Sequence, residues 1–134
     1  MTTNAMTNYL ETKLLQFVLN NNAGSLSAVS TIYLALFTAD PTETGSLSNE
    51  IGTSGTAYAR QSVAFTTSGN ASTNSANIEF PAATSSWGTV THIGIMDAST
   101  SGNMLFHGAL TVSKTIDTND IFRINAGDLD ITID

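Results

Sequence analysis

The two histidines, His92 and His107, are the side chains best suited to chemistry, and both lie in segments that read as strands of one hairpin. Imidazoles that face each other across a hairpin can bind a metal ion, with Asp97 or Asp120 as a further ligand. The sequence has no HExxH motif and no i, i+2 histidine pair. We therefore favour two hydrogen-bonded histidines on a half-buried face, and we predict no metal site and no cofactor.

Hydrolytic chemistry has little support in the sequence. Serine is abundant, but there is no G-x-S-x-G motif, and the run Gly52–Gly55 has the wrong spacing and lies in a polar loop. Glu43, Glu50 and Glu79 could act as paired carboxylates in glycoside cleavage. Sugar-cleaving enzymes present several aromatic rings to their substrate, however, and this chain has one Trp and three scattered Tyr residues. We predict that the protein is not an enzyme.

Acidic residues near the C-terminus suggest calcium binding, but the pattern is incomplete. The turn Asp117–Asp120 offers backbone and carboxylate oxygens, yet it lacks a full D-x-D-x-D-G loop, so an Asx turn is the alternative. Asp128, Asp130 and Asp134 alternate with apolar residues. Carboxylates two residues apart on a strand lie roughly 6–7 Å apart, too far to share one ion without another ligand. We expect a solvated face that discourages aggregation between strand edges.

Arg60 is one of four cations in the chain and follows Tyr58 at the entry to a predicted strand. A single arginine in an acidic domain usually pairs with a carboxylate, and Glu50 and Asp40 in the preceding loop are the candidates. We expect a clamp on that loop, with an intersubunit salt bridge as the alternative. Trp87 lies in a Ser-Ser-Trp-Gly turn, where its apolar ring would fill a core edge or an interface.

The overall composition excludes several classes of function. Only 11% of the 134 residues are charged, the net charge is −7, and Thr, Ser and Asn occupy 48 positions. The acidic balance argues against binding of nucleic acid or of anionic membranes. The absence of cysteine excludes disulfides and thiol chemistry. No apolar stretch is long enough to span a membrane, and the N-terminus does not resemble a signal peptide, so we expect neither.

One helix is predicted, over residues Asn8–Leu19. Its start can be capped by Thr7 or Asn8, and the run Asn20–Gly24 ends it. The apolar positions that form its stripe are Leu10, Leu14, Phe17 and Val18. A helix of about three turns is not stable alone in water, so it must dock on its own sheet or on a neighbouring subunit.

The rest of the chain, from about residue 31 to residue 134, has the alternation and turn spacing of short strands. Thr31–Thr38 is apolar on both faces, so we expect it to be covered on both sides, or on one side by a partner. Ser68–Ser75 reads as a turn. The other predicted strands are Arg60–Thr67, Ala76–Phe80, Thr89–Asp97, Asn103–Val112, Lys114–Ile116, Ile121–Asn125 and Leu129–Ile133. We predict a single all-β domain over residues 1–134, an antiparallel, jelly-roll-like β-sandwich of seven or eight strands with one N-terminal helix.

Several segments resemble a family of small virion proteins of tailed bacteriophages. They are IYLALFTADP (32–41), YARQSVAF (58–65), FPAA (80–83), WGTVTHIGIMD (87–97) and GNMLFHGAL (102–110), together with the N-terminal NYLETKLL (8–15). Members of this family are commonly labelled tail-fibre proteins, and similar small sandwiches serve as capsid decoration or cement proteins. The resemblance covers residues 8 to 134 and implies a structural role with no catalytic residue to carry over.

The function we predict from this resemblance is that of a capsid cement protein, made in the bacterial cytoplasm and located on the outer capsid surface. It would bridge major capsid subunits as a dimer or trimer; the alternative is a tail-fibre or tail-tip component that binds the host surface. The apolar excess of the helix and of Thr31–Thr38 suggests burial between subunits. The candidate contact residues are Tyr9, Leu10, Lys13, Tyr58, Arg60 and Trp87, with the loop Asp40–Tyr58.

Overall fold

The computed structural model describes residues 4–134, in which ten strands and one helix are defined. Every pair of neighbouring strands is antiparallel. The elements, in chain order, are β1 (Asn4–Met6), α1 (Asn8–Leu19), β2 (Ile32–Phe37), β3 (Gln61–Val63), β4 (Phe65–Ser68), β5 (Ala71–Asn74), β6 (Ile78–Glu79), β7 (Gly88–Met96), β8 (Met104–Ile116), β9 (Arg123–Ile124) and β10 (Asp130–Thr132). The helix has the predicted bounds.

The strands form one large sheet and two small ones. The large sheet has the order β1-β8-β7-β2-β3, and the small sheets are β10-β5-β4 and β6-β9. The main buried cluster joins residues of all three sheets, including Leu36 and Ile93 from the large sheet, Ile131 from β10 and Ile124 from β9. This arrangement confirms the all-β, sandwich-like class.

The α1 helix is not long enough to cross a membrane, and the described residues contain no other helix that could do so.

Strand β2 is covered on both faces by this chain alone. Leu34 and Leu36 belong to the main cluster, whereas Ala35 and Phe37 join a second cluster on the other face, against which Leu47 packs. The four β2 residues, Leu34 to Phe37, have no exposed surface. Residues 34–37 therefore have no surface left for a partner, because the polar loop after β2 folds back and supplies the second cover. Burial between subunits stays a prediction for the helix.

A glycine in β7 makes this second layer tight. Gly94 lies opposite His107 of β8, on the face that carries Phe37. A Cβ atom at this position would lie 2.8 Å from Met104 Cε and 3.0 Å from Phe37 Cε2, closer than van der Waals contact allows. The absence of a side chain at Gly94 thus permits the ring of Phe37 to pack directly on the strand.

One predicted strand and one predicted turn differ from the observed structure. Arg60–Thr67 is interrupted at Ala64, so that β3 joins the large sheet and β4 joins the three-stranded sheet. The predicted turn Ser68–Ser75 contains β5, with the actual turn at Gly69 and Asn70. Ser and Asn have weak strand preference, but β5 is paired on both sides, with β4 and β10, and this tertiary pairing outweighs local preference.

The two strands predicted over Asn103–Val112 and Lys114–Ile116 form the single long strand β8. Its pairing with β7 shifts between His92↔Ala109 and Val90↔Lys114, so four residues of β8 oppose one residue of β7. This enlarged bulge contains Val112, whose side chain is 67% exposed. Strand β1, which the sequence did not indicate, pairs with the other edge of β8 at residues 106–108.

Candidate functional site

Arg60 holds together three separate segments of the chain. Its Nε and Nη2 donate to the two carboxylate oxygens of Glu50 at 2.7 and 2.8 Å, and its Nη1 donates to the carbonyls of Ala98 and Ser101 at 2.9 and 2.8 Å. The side chains of Arg60 and Glu50 are 4% and 15% exposed. Of the two carboxylates predicted to pair with Arg60, Glu50 and Asp40, the structure confirms Glu50. The pair clamps the middle of the loop Asp40–Tyr58, at Glu50, onto the hairpin between β7 and β8.

Tyr58 extends this clamp into the core. Its hydroxyl donates to Glu50 Oε1 at 2.9 Å and accepts from the backbone N–H of Leu36 at 3.0 Å. Burial, followed by the charge of Glu50, raises the pKa of Tyr58 well above its usual range. The hydrogen bonds to Glu50 raise the pKa of Arg60 further. At neutral pH, Tyr58 is therefore a neutral donor and Arg60 a permanent cation.

Trp87 belongs to an aromatic cluster beside the clamp. Its ring meets those of Tyr58 and Phe80 edge-on, with centroids 5.5 and 6.2 Å apart, and its Nε1 donates to the carbonyl of Thr56 at 2.8 Å. Phe80 in turn packs edge-on against Phe122. Trp87 and Tyr58 are 5% and 4% exposed, so both fill the core of this chain.

The loop Asp40–Tyr58 is exposed over much of its length but internally ordered. Asp40 Oδ1 accepts from the backbone N–H of Thr42 at 2.8 Å, and the hydroxyls of Thr42 and Thr44 are 2.8 Å apart. Ser46 donates to Ser48 Oγ at 3.0 Å. These local bonds, with the clamp at Glu50, stabilise the loop in the observed conformation.

Helix α1 is anchored to the sheet at its N-cap, and its side chains are exposed or half-buried along its length. Thr7 caps it by accepting from the N–H of Leu10, and the same hydroxyl donates to the carbonyl of Met104 in β8. The helix contacts β8 and β1 of its own sheet, yet none of its residues is buried. Tyr9 is 38% exposed, with Lys13 Nζ 5.8 Å from its ring centroid, and Leu10 and Lys13 are half-buried.

The predicted apolar stripe of α1 is only half covered by the sheet. Leu10 and Leu14 are half-buried, as expected, and Phe17 is 44% exposed. Val18, one turn after Leu14, is 63% exposed, and the side of the helix beyond it carries the exposed Leu15 and Leu19. Of the candidate contact residues, the structure thus leaves those on α1 accessible and places Tyr58, Arg60 and Trp87 in the interior.

Comparison with protein-family models gives one match, to Podophage GP4 fiber I protein gp80, over residues 5–132. The chain belongs to this family. Membership makes it a structural protein of a phage virion, and it agrees with the predicted resemblance to small virion proteins labelled tail-fibre proteins. No curated protein matches the chain.

The histidines of this gp80-family chain do not form a pair. His107 lies opposite Gly94, and His92 lies opposite Ala109. His92 Nδ1 is 2.8 Å from the hydroxyl of Thr91, and His107 Nδ1 is 3.6 Å from Asp40 Oδ1. Across residues 4–134, no group of three or more His, Asp or Glu side chains is placed to hold a metal ion.

Four of the carboxylates considered for catalysis or calcium binding in this gp80-family chain have structural partners. Asp97 accepts from the N–H and the amide of Asn103 at 2.7 and 3.0 Å, and Asp120 Oδ2 accepts from the N–H of Asp117 at 2.9 Å. The latter contact runs from the last residue of the turn back to the first, and the N–H of Asp120 donates to the carbonyl of Asp117 at 3.0 Å. The two bonds close the turn, but they are not the Asx turn that the sequence suggested, in which the side chain accepts from the residue two positions later. Glu79 pairs with Arg123 at 3.6 Å, as Glu50 does with Arg60.

A buried asparagine, which the sequence gave no sign of, joins the small sheets. Asn74 is 1% exposed, and its Nδ2 donates to the carbonyls of Ala76 and Asn125 at 2.8 and 3.0 Å. Its Oδ1 accepts from the N–H groups of Gly127 and Leu129 at 3.1 and 2.9 Å. An asparagine in a Ser- and Asn-rich segment predicts a turn, so local sequence could not reveal this role.

Proposed function

We propose that this protein is a component of the phage tail fibre and takes part in contact with the host surface. The observation that carries the proposal is the match to a podophage fibre family over almost the whole chain. The capsid cement role, which the sequence favoured, gains no support of its own from this match. The family description supports the fibre alternative, and the two roles are separated by the experiments below.

The structure supports a binding role through the loop Asp40–Tyr58. The loop presents short hydroxyl side chains that are bonded to one another and anchored at Glu50. Short side chains lose little conformational entropy when a partner immobilises them, and a preformed loop avoids the cost of ordering its backbone. Such a surface suits a hydroxyl-rich or amide-rich partner more than a charged one.

The same contacts support binding without turnover. Two of the three glutamates considered for glycoside cleavage are each paired with an arginine, and the two histidines have separate neighbours. General acid–base catalysis by a pair needs both groups within hydrogen-bond reach of one reacting bond. We therefore propose that the protein acts by contact alone.

The location of the protein in the virion tests the proposal directly. Antibody-gold labelling or a cryo-EM map of the particle should place it on the tail, at a copy number far below that of the major capsid protein. Labelling that covers the head at a copy number comparable to that of the major capsid protein would establish the cement role instead.

A phage lacking this protein separates the two roles by function. We expect full heads that retain DNA on heating as the wild type does, with adsorption to host cells reduced. Added purified protein should compete with wild-type phage for adsorption. Early DNA release on heating with normal adsorption would contradict the fibre role and favour cement.

A further inference from the structure

Exposed apolar side chains are concentrated in one short stretch of the chain. Nine large apolar side chains are exposed among the described residues, and six of them fall between residues 9 and 29. These six are Tyr9, Leu15, Phe17, Val18, Leu19 and Val29. Single exposed apolar residues are ordinary on a protein surface, whereas a concentration of them marks a site of interaction.

The same stretch carries almost no charge. Residues 14–39 contain no Asp, Glu, Lys or Arg, and Glu11 and Lys13 of α1 cancel each other. The net charge of −7 therefore lies entirely from residue 40 onward. We call the outward side of α1, formed by Leu15, Val18 and Leu19, the uncharged patch.

The helix needs further burial that its own chain does not supply. Twelve residues are too few for a stable isolated helix, and α1 has no buried residue. An apolar groove of about 430 Å³ remains beside it, lined by Leu10, Phe17 and residues 26–29 on one side and by Leu105 and Phe106 of β8 on the other. Leu15, Val18 and Leu19 lie on the side of α1 away from this groove, and packing of that side against a second molecule would supply the missing burial.

We propose that the uncharged patch binds a second copy of this chain, with α1 packed against α1. Leu15, Val18 and Leu19 are spaced i, i+3 and i+4, which forms the ridge that packs into the groove of a facing helix. A symmetric contact requires this surface to be complementary only to itself. The inference concerns the isolated protein and does not depend on its position in the virion.

Charge decides in favour of a copy over another partner. Two molecules that each carry −7 repel if their acidic surfaces meet, so self-association requires a neutral patch. A basic partner would instead be drawn to the acidic residues from Asp40 onward, and the uncharged patch has no acidic residue to attract it. The absence of charge that distinguishes the uncharged patch is therefore the property that contact with a second copy needs.

The first test measures the mass of the purified protein by sedimentation equilibrium over a range of concentrations. The wild type should exceed the 14.0 kDa of one chain. The double variant Leu15→Gln with Leu19→Gln keeps helix propensity and removes apolar surface, and it should weaken association on the order of 100-fold. Val112→Gln, a matched control at another exposed apolar position, should associate as the wild type does.

The second test uses the absence of cysteine, which makes any introduced thiol unique. Under mild oxidation, Val18→Cys should form a disulfide-linked dimer more readily than Val112→Cys. Circular dichroism should show that each variant is folded. A wild type that stays at 14.0 kDa throughout, or equal cross-linking of the two cysteine variants, would overturn the proposal.

Discussion

Replacing Arg60 by alanine tests whether the clamp organises this fold. The guanidinium makes four hydrogen bonds, two to Glu50 and two to backbone carbonyls of the hairpin between β7 and β8. Its removal leaves the Glu50 carboxylate, at 15% exposure, without a cation and leaves both carbonyls without this donor. Breaking a buried ion pair on one side typically destabilises a protein by about 3–5 kcal/mol, mainly because the other charge stays buried.

This loss converts into a large change in melting temperature. An unfolding entropy of about 2.1 cal/mol/K per residue gives a shift of roughly 3–4 °C per kcal/mol for a chain of 134 residues. Arg60→Ala should therefore lower the Tm by about 10–18 °C, measured by calorimetry and checked by urea unfolding. Replacing both partners, with Arg60→Met and Glu50→Leu, should recover part of the loss because no unpaired charge remains.

Arg123 provides the matched control. It pairs with Glu79 at 3.6 Å, and the two side chains are 49% and 55% exposed. Exposed pairs contribute at most about 1 kcal/mol, so Arg123→Ala should shift the Tm by less than about 4 °C. If Arg60→Ala and Arg123→Ala lower the Tm equally, burial does not make the loss of Arg60 more destabilising than the loss of an exposed arginine.

Three further predictions concern stability, each measured by urea unfolding. Gly94→Ala should destabilise by about 1–3 kcal/mol through overpacking, whereas Gly52→Ala, where a Cβ meets nothing within 4 Å, should change little; equal effects would contradict the packing argument. Folding raises the pKa of Tyr58 above the unfolded value of 10.0, so stability should fall by about 1.4 kcal/mol per pH unit above pH 10, and Tyr58→Phe should lack this contribution to the slope. Asn74→Ala should cost about 3–5 kcal/mol because it leaves buried N–H and carbonyl groups unpaired, and exposed Asn70→Ala less than about 1 kcal/mol; similar losses would show that the burial of Asn74 is unimportant.

Local signals predict the helix and strand β2 well. The cap at Thr7, the stripe that begins at Leu10 and the asparagines after Leu19 all act within a few residues of one another, so the helix bounds follow from the sequence. The apolar run of β2 predicts a strand covered on both faces. It does not say which molecule provides the cover, because a polar loop of the same chain and a partner satisfy the same pattern.

The remaining features depend on contacts between distant residues. Strand β5 has the composition of a turn and becomes a strand because β4 and β10 pair with it on its two sides. Tyr58, Arg60 and Trp87 have large side chains with a polar end, which suit an interface or a core edge equally. Their place in the interior follows from the position of Glu50 and Thr56, which local sequence does not reveal.

The pairing of β1 with β8 has a consequence for the order of events during synthesis. Ala5 pairs with His107, so about one hundred residues must be made after β1 before its partner strand exists. At roughly 5–20 residues per second, the ribosome needs about 5–20 s to produce them. Thr7 cannot reach the carbonyl of Met104 before then, so the start of α1 is fixed among the last events of folding. The nascent chain therefore keeps its N-terminal segment undocked until most of the sandwich has been translated.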